Sequence, residues 1–553
     1  MVLLIALLAP FYSSIPGAER QLVRLGAAFA RLASRRGWCI VLVAVLTLAA
    51  KAALAPLLGI RAPAVHDEFS YLLAGDTFAS GRLTNPTHPM WVHFESFHIE
   101  HQPTYMSMYP PLQGGFLALG KVLSGYPIVG VWVSAAVFCA ALCWMLQGWV
   151  PSGWALLGAL LAVLRLALFS TWGNSYFGGA PAALGGALVL GALPRIKASF
   201  RPADAMLFIA GLLILANSRP YEGVLFTLPI VFSLLFWATG KNRPPFPALL
   251  RRAIVPAAAL LLIGAAFMAY YNWRVFGSAL TMPYEINRKA YAVVGIFFWQ
   301  KPGTVPSYNH PVFRDFYVDY ELQHFQLART WHGFLELSLR KIAAIWAFFV
   351  NPALTLPLVA AATLLRRREL RFPVAVLGVF GVGLLLNTWF MPHYAAPATA
   401  LLYLLFVYGI RHMRQLRIAG RPAGLLLAAG VPAVCLFMAT VRVANGPMPW
   451  GSDEPVSWCC AGNGNQERAA LSHQLAALPG KQLVLVKYGS PYNGTEWVYN
   501  EPDIDGAKVV WARYMLPSTK NDELLNYFQN RRVWLLDASL TPARLSPYNA
   551  AAE

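Results

Sequence analysis

Long apolar runs, separated by shorter polar stretches, dominate the chain. Eleven runs are long or apolar enough to read as membrane-crossing helices, at roughly 39–59, 127–147, 153–170, 178–193, 204–216, 223–239, 253–274, 341–363, 372–390, 394–410 and 422–442. About 20 apolar residues cross the hydrocarbon core as a helix, and a backbone in lipid must satisfy its own hydrogen bonds, so helices are expected. The runs do not alternate as barrel strands would. Near the N-terminus, Leu22, Leu25, Phe29 and Leu32 recur on one helical face beside Arg20, Arg24, Arg31 and Arg35, which predicts an amphipathic helix on an anionic inner leaflet. Beyond the last run the period changes. Strands are expected at 481–488, 507–514 and 532–537, and helices at 466–478 and 521–529. Two of these strands are continuous apolar runs suited to a covered sheet. The expected fold is an all-α polytopic membrane protein of about eleven transmembrane helices with a small C-terminal extracytoplasmic α/β domain. Its parts are a cytoplasmic amphipathic segment 1–38, a transmembrane domain 39–442 with large external loops 60–126 and 275–340, and the α/β domain 443–553.

Composition supports this reading and removes others. Of 553 residues 57% are hydrophobic and only 12% are charged, about half the usual share for a soluble protein. The formal charge is nevertheless +19, from 44 Lys and Arg against 25 Asp and Glu. A nucleic-acid binder with that balance would be rich in charge, so no nucleic-acid partner is expected. With the N-terminus inside, the segments 1–38, 148–152, 194–204, 240–252, 364–371 and 411–421 become cytoplasmic and hold 20 of the Lys and Arg. Their acids are only Glu19, Asp204 and Glu369. The excess is a positive-inside signal that leaves the tail outside. The six cysteines form no C-x-x-C framework, and no G-x-x-x-x-G-K-[ST] loop is present, which argues against ATP-driven transport.

The first long loop carries the candidate chemistry. It opens His66-Asp67-Glu68-Phe69-Ser70-Tyr71 and runs to Met108-Tyr109-Pro110-Pro111-Leu112-Gln113-Gly114. Two readings of Asp67 and Glu68 stand side by side. Acids in the first turn of a helix interact well with its dipole. Paired carboxylates above an apolar groove also suit a general base. Five of the eleven His lie in this loop, and His98, Glu100 and His101 are candidate ligands for a divalent metal, although their spacing is not a zinc pattern. No other cofactor is expected. Lys51 and Arg165, inside two spans, read as snorkelling cations. The glycine pairs Gly178-Gly179 and Gly185-Gly186 read as sites of close helix packing.

Together these features resemble the C-type glycosyltransferase superfamily (GT-C), which includes the protein O-mannosyltransferases and the bacterial lipid A aminoarabinose and lipopolysaccharide-core sugar transferases. The resemblance rests on the Asp-Glu pair at the start of a long first loop and the Tyr-Pro-Pro-Leu segment after it. Asn217-Ser218-Arg219-Pro220-Tyr221-Glu222-Gly223, Tyr271-Asn272-Trp273-Arg274-Val275-Phe276-Gly277-Ser278 and Pro392-His393-Tyr394-Ala395-Ala396-Pro397 extend it over about 40–410. It implies a multi-pass enzyme of a bacterial inner membrane that takes a sugar from a polyprenyl-phosphate donor within the lipid and passes it to an acceptor hydroxyl. The acceptor is not specified. By this resemblance Asp67 is the base and Glu68 orients it or meets the acceptor. Arg219 and Arg274 are the candidate cations for the leaving phosphate, with His393, Tyr394 and Tyr109 at phosphate or sugar. Snorkelling for the arginines, and an interfacial aromatic belt for the others, are the alternatives. Two other classes remain open: a transporter or flippase of lipid-linked substrates, and a non-catalytic lipid-binding member of the same fold.

Overall fold

The structure is a computed structural model that describes residues 17–199, 201–240, 244–417, 423–445, 458–459 and 462–549. The apolar stretch 1–9 lies outside the described residues, as do parts of the expected segments 240–252, 411–421 and 443–553. Among the described residues nine helices are long and apolar enough to cross a membrane. They are Arg36–Leu58, Pro127–Leu146, Gly179–Ser199, Pro220–Thr239, Phe246–Phe276, Trp331–Ala362, Arg368–Leu386, Pro392–Met413 and Gly424–Ala444. Two shorter apolar helices, Ser152–Ala167 and Pro202–Ala216, complete the set. Each of the eleven expected runs falls on one of them, and the chain is a multi-pass membrane protein. The amphipathic helix is also present, at Ala18–Ala33.

Local chemistry sets many helix ends. Pro127, Pro202 and Pro220 stand at first helical positions, where a missing N–H costs nothing. Gly277 ends the helix at Val255–Phe276 with φ 79° and donates to Trp273 O at 3.1 Å. The Trp331–Ala362 span is broken by a π turn at Trp346–Val350, followed by Asn351 at φ 41° and Pro352, which has no N–H to continue the ladder. Gly186 has a packing role, as the sequence suggested: a Cβ there would lie 2.0 Å from Pro397 O. The helix Gly179–Ser199 therefore meets the Pro392–Ala398 turn backbone to backbone.

Lys51 and Arg165 do not snorkel. Both turn inward and are 4% and 1% exposed. Arg165 lies in a π turn with its guanidinium 4.6 Å from the Trp458 ring.

The two long loops and the tail assemble on one side of the helices. The first loop holds the helix His66–Ala79, the helix Leu112–Ser124 and a small antiparallel sheet in the order β1-β3-β2, which periodicity did not reveal. Its strands are β1 Asn85–Pro86, β2 Ile99–Glu100 and β3 Thr104–Ser107. The tail forms a second sheet from β4 Lys481–Lys487, β5 Val509–Arg513, β6 Arg531–Asp537 and β7 Arg544–Pro547, in the order β5-β4-β6-β7. The pairs β4–β5 and β4–β6 are parallel, and β7 closes one edge antiparallel to β6.

The apolar run of β4 is explained by burial on both faces. Leu483 and Leu485 join Leu73, Phe94, Ile99 and Tyr105 of the first loop, while Val484 and Val486 join Leu475, Trp511 and Leu536 of the tail. Polar ties reinforce the docking. Ala62 N donates to Asn463 O at 3.0 Å and Glu496 N to Ala64 O at 2.9 Å. Tyr499 donates to Asp76 Oδ2 at 2.6 Å.

Candidate functional site

The helix His66–Ala79 begins where Val65 is still extended. Glu68, three residues in, turns its carboxylate back and accepts from the Ala64 N–H at 3.0 Å and the Val65 N–H at 3.5 Å. It also pairs with Arg61 at 3.3 Å and accepts from Tyr176 N at 3.4 Å, and it is fully buried. Glu68 is thus enclosed by partners that fix the start of the helix. Asp67, one residue earlier, faces the other way into a partly open site, with 24% of its side chain exposed.

Two donors converge on Asp67. His98 Nδ1 lies 2.5 Å from Asp67 Oδ1, and the Tyr109 hydroxyl donates to the same oxygen. An ionised carboxylate only accepts, so His98 carries its proton on Nδ1 in this pair. Burial alone would raise the Asp67 carboxyl. The facing His98 and His66 rings and the hydrogen bonds from His98 and Tyr109 outweigh it and hold the group far below the usual carboxylate range. Burial, with the neighbouring His98 ring, pushes His66 down to about 4, so His66 is neutral at pH 7. The His98 ring is the largest influence that lowers Asp67. Burial also raises the Tyr109 hydroxyl, aided by the Asp67 charge, so it stays a donor.

His98 is held in an unusual backbone state, at φ 60°. A residue with a Cβ seldom adopts this conformation. Neighbouring hydrogen bonds maintain it. The His98 carbonyl accepts from Ser70 Oγ at 2.6 Å and from Met108 N at 3.1 Å. Ser107 Oγ lies 2.7 Å from Ser70 Oγ and accepts from Tyr109 N at 3.1 Å. One network thus orders both residues that donate to Asp67. An outlier of this kind beside a carboxylate points to function.

The Tyr-Pro-Pro-Leu-Gln-Gly segment links this site to the membrane helices. Tyr109 stacks on Tyr71 at 4.4 Å. Leu112 N donates to Asn217 O at 3.1 Å, and Gln113 Nε2 to Tyr176 O at 2.8 Å. Gly114 lets the helices Leu112–Ser124 and His66–Ala79 touch, since a Cβ there would lie 2.5 Å from the Ala74 Cβ.

Arg219 reaches the same region from the start of the helix Pro220–Thr239. Its guanidinium lies 4.3 Å from the Tyr394 ring centroid, and its charge acts on Tyr71. His393 stacks on Phe177 at 5.4 Å, and both His393 and Tyr394 feel the Asp67 charge. Five residues singled out from sequence, Asp67, Tyr109, Arg219, His393 and Tyr394, therefore meet around one region. Arg274 is not joined to them: it is exposed, and its guanidinium lies 6.0 Å from the Trp273 ring.

The metal-ligating side chains are grouped differently from their order in sequence. His98 sits with His66 and Asp67, whose ligand atoms all lie within 4.8 Å of one another. The 2.5 Å approach of His98 Nδ1 to Asp67 Oδ1 is a hydrogen-bond length. Glu100 and His101 are buried apart from that group. Burial raises the Glu100 carboxyl to about 8, partly opposed by a hydrogen bond from the Asn287 backbone. The folded protein then keeps a proton that the unfolded chain loses, so stability falls as pH rises from about 4.3 to about 8. Glu100→Gln should raise stability by roughly 1–3 kcal/mol at pH 8, with the gain shrinking toward pH 5. Thermal unfolding in detergent at the two pH values measures it, and an equal effect at both would remove the ionisation argument.

The second loop and the tail build the outer wall. Phe316 lies 5.4 Å from His66, and Phe97 stacks between Phe313 at 4.5 Å and Tyr492 at 5.0 Å. Arg513 of β5 anchors this wall. It pairs with Glu496 at 3.0 Å, donates to Glu95 O and packs against Tyr488 at 4.7 Å. Asp315 accepts from Ser490 Oγ and Tyr492 N, each at 3.2 Å. Sequence reading did not assign His66, Tyr71, Phe97, Phe316 or Arg513 to the site. Only the neighbourhood of Asp67 marked the first two.

No protein-family model matches the chain, and no curated protein does. Solved structures are similar in shape. One is a crystal structure of ArnT from Cupriavidus metallidurans bound to undecaprenyl phosphate, at 15% identity and a TM-score of 0.47, over 91% of this chain and 93% of that one. Another is the apo oligosaccharyltransferase of Archaeoglobus fulgidus, at 12% identity and a TM-score of 0.37, over 80% of this chain and 58% of that one. The same enzyme tethered to an acceptor peptide with an NVT sequon is similar at 10% identity and a TM-score of 0.41, over 91% of this chain and 68% of that one.

Proposed function

We propose that this chain is a membrane glycosyltransferase that moves a sugar from a polyprenyl-phosphate donor to an acceptor hydroxyl on the outer side of a bacterial inner membrane. The observation that carries this reading is the convergence of Asp67 and its two donors with the Arg219–Tyr394 pair and His393, beside the start of a membrane span. The acceptor oxygen attacks the anomeric carbon as the bond from that carbon to the phosphate oxygen breaks. The proton of the acceptor passes to Asp67, and the lipid phosphate leaves with its charge facing Arg219. Glu68 acts through the helix start rather than on substrate. The positive-inside charge bias supports an N-terminus inside, with the loops 60–126 and 275–340 and the tail 443–553 outside.

The test offers purified protein a panel of polyprenyl-phosphate sugars with candidate acceptors. Consumption of one donor with release of the lipid phosphate is expected. Movement of a labelled lipid across a vesicle bilayer without donor consumption would instead support a flippase. Tyr109→Phe probes the base directly. Losing a donor raises the Asp67 carboxyl only part of the way back toward the ordinary range, so it stays ionised at pH 7 and what is lost is its fixed position. The variant should lose about tenfold in kcat at pH 7 with the donor still bound. An unchanged kcat would separate Tyr109 from the base.

A further inference from the structure

The first span presents one buried stripe to the rest of the protein. Its buried positions are Cys39, Val43, Thr47 and Lys51, four residues apart. At the last of these an ammonium occupies a place that would ordinarily hold an apolar side chain. Lys51 Nζ lies 2.5 Å from Asn174 Oδ1, 3.5 Å from Leu168 O and 5.6 Å from the Trp132 ring. Both hydrogen-bond partners are neutral, and among the described residues no charged group acts on it. An ammonium has three N–H donors, so one remains for a ligand. A cation inside a span without a counter-charge is costly and marks a site by default.

A crevice opens beside it. Leu54, Leu58, Ile60, Arg61, Ile128 and Trp132 are among its walls. Arg61 is engaged by Glu68 at 3.3 Å and by Gly462 O at 2.7 Å, so Lys51 supplies the charge. Toward the lipid the first span exposes Leu57 (53%), and Ile60 just beyond it is 49% exposed. The crevice therefore combines a cation at its base with apolar walls continuous with the bilayer.

We propose that this crevice binds the phosphate of an anionic lipid, held by the Lys51 ammonium that Asn174 positions, with its hydrocarbon along Leu54, Leu58 and Ile128. A neutral headgroup would leave the Lys51 charge uncompensated, and the depth of the position within a span selects a membrane ligand over a water-soluble anion. The same chemistry suits a glycerophospholipid or a phosphorylated glycolipid. The inference needs only the membrane-spanning fold and stands apart from sugar transfer.

Native mass spectrometry of the full chain, released from nanodiscs of phosphatidylglycerol or phosphatidylcholine, tests it. One phosphatidylglycerol should stay bound at energies that strip phosphatidylcholine. Lys51→Met should lower that retention at least about tenfold, whereas Lys51→Arg and Asp67→Asn should keep it. Adding a phosphorylated glycolipid and its dephosphorylated form separates the sources. Displacement by the phosphorylated form alone identifies a glycolipid site, and no displacement identifies a glycerophospholipid site. Equal retention of the two phospholipids by the unaltered protein would overturn the proposal, whatever the variants do. So would a folded Lys51→Met protein that retains phosphatidylglycerol like the original. Loss of sugar transfer with retention unchanged would count against the proposed reaction only.

Discussion

Asp67→Asn is expected to lower sugar transfer by about 10²–10⁴-fold, the usual worth of a positioned general base. The substitution keeps the shape of the side chain. Its amide oxygen can still accept from His98 and Tyr109, so the network that holds His98 at φ 60° survives. What disappears is the charge and the ability to take a proton. Donor affinity, expression and thermal midpoint should stay close to those of the original protein, with the loss confined to kcat. The carboxyl lies far below the ordinary range, so in the resting site it is fully ionised. Transfer at the original rate by folded Asp67→Asn protein would remove Asp67 from the reaction.

Arg219→Ala is expected to cost about 10²–10³-fold in kcat/KM, as for removal of one preorganised charge stabiliser. Arg219 stands at the N-terminus of a 20-residue helix, where the helix dipole also favours a phosphate. The Tyr394 ring, 4.3 Å away, holds the guanidinium in place. Glu222, one turn on, is buried and feels the Arg219 charge, so deleting the cation also strands an acid. Arg219→Lys separates these effects. It keeps the charge beside Glu222 but loses the planar fork, and should recover stability fully and activity in part. Retention of polyprenyl phosphate by each variant provides the second readout. Unchanged retention in Arg219→Ala would assign the phosphate to another group, and Arg274, exposed at the end of its helix, is the next to test.

The spans were legible because lipid imposes one rule on every residue of a run. Any segment such as 127–147 must be apolar throughout and helical, whatever its neighbours are. Strand β4 was legible for a similar reason, since burial on both faces makes it a continuous apolar run. The small sheet of the first loop was not. Strands β1 and β2 are two residues long, and no periodicity can register in so short a stretch. Lys51 was misread because snorkelling is judged from depth along a helix, whereas its direction depends on Asn174, 123 residues away.

The site divides in the same way. Asp67, Tyr109, Arg219, His393 and Tyr394 could be named from short motifs, each of which sits at the end of a helix where the chain changes direction. His98 could be placed only as a possible metal ligand near Glu100 and His101. Its true neighbour is 31 residues away, and a left-handed backbone turns it out of the strand that follows.

By itself, the sequence determined the membrane-spanning helical fold and the strands of the tail, because these depend on how each residue partitions between lipid, water and a buried sheet. The tertiary structure alone decided which donors hold Asp67, where Glu68 is spent, and that Arg513 of the tail braces the loop beside His98. Those outcomes rest on contacts between residues up to 418 positions apart, and such contacts exist only once the chain has closed on itself.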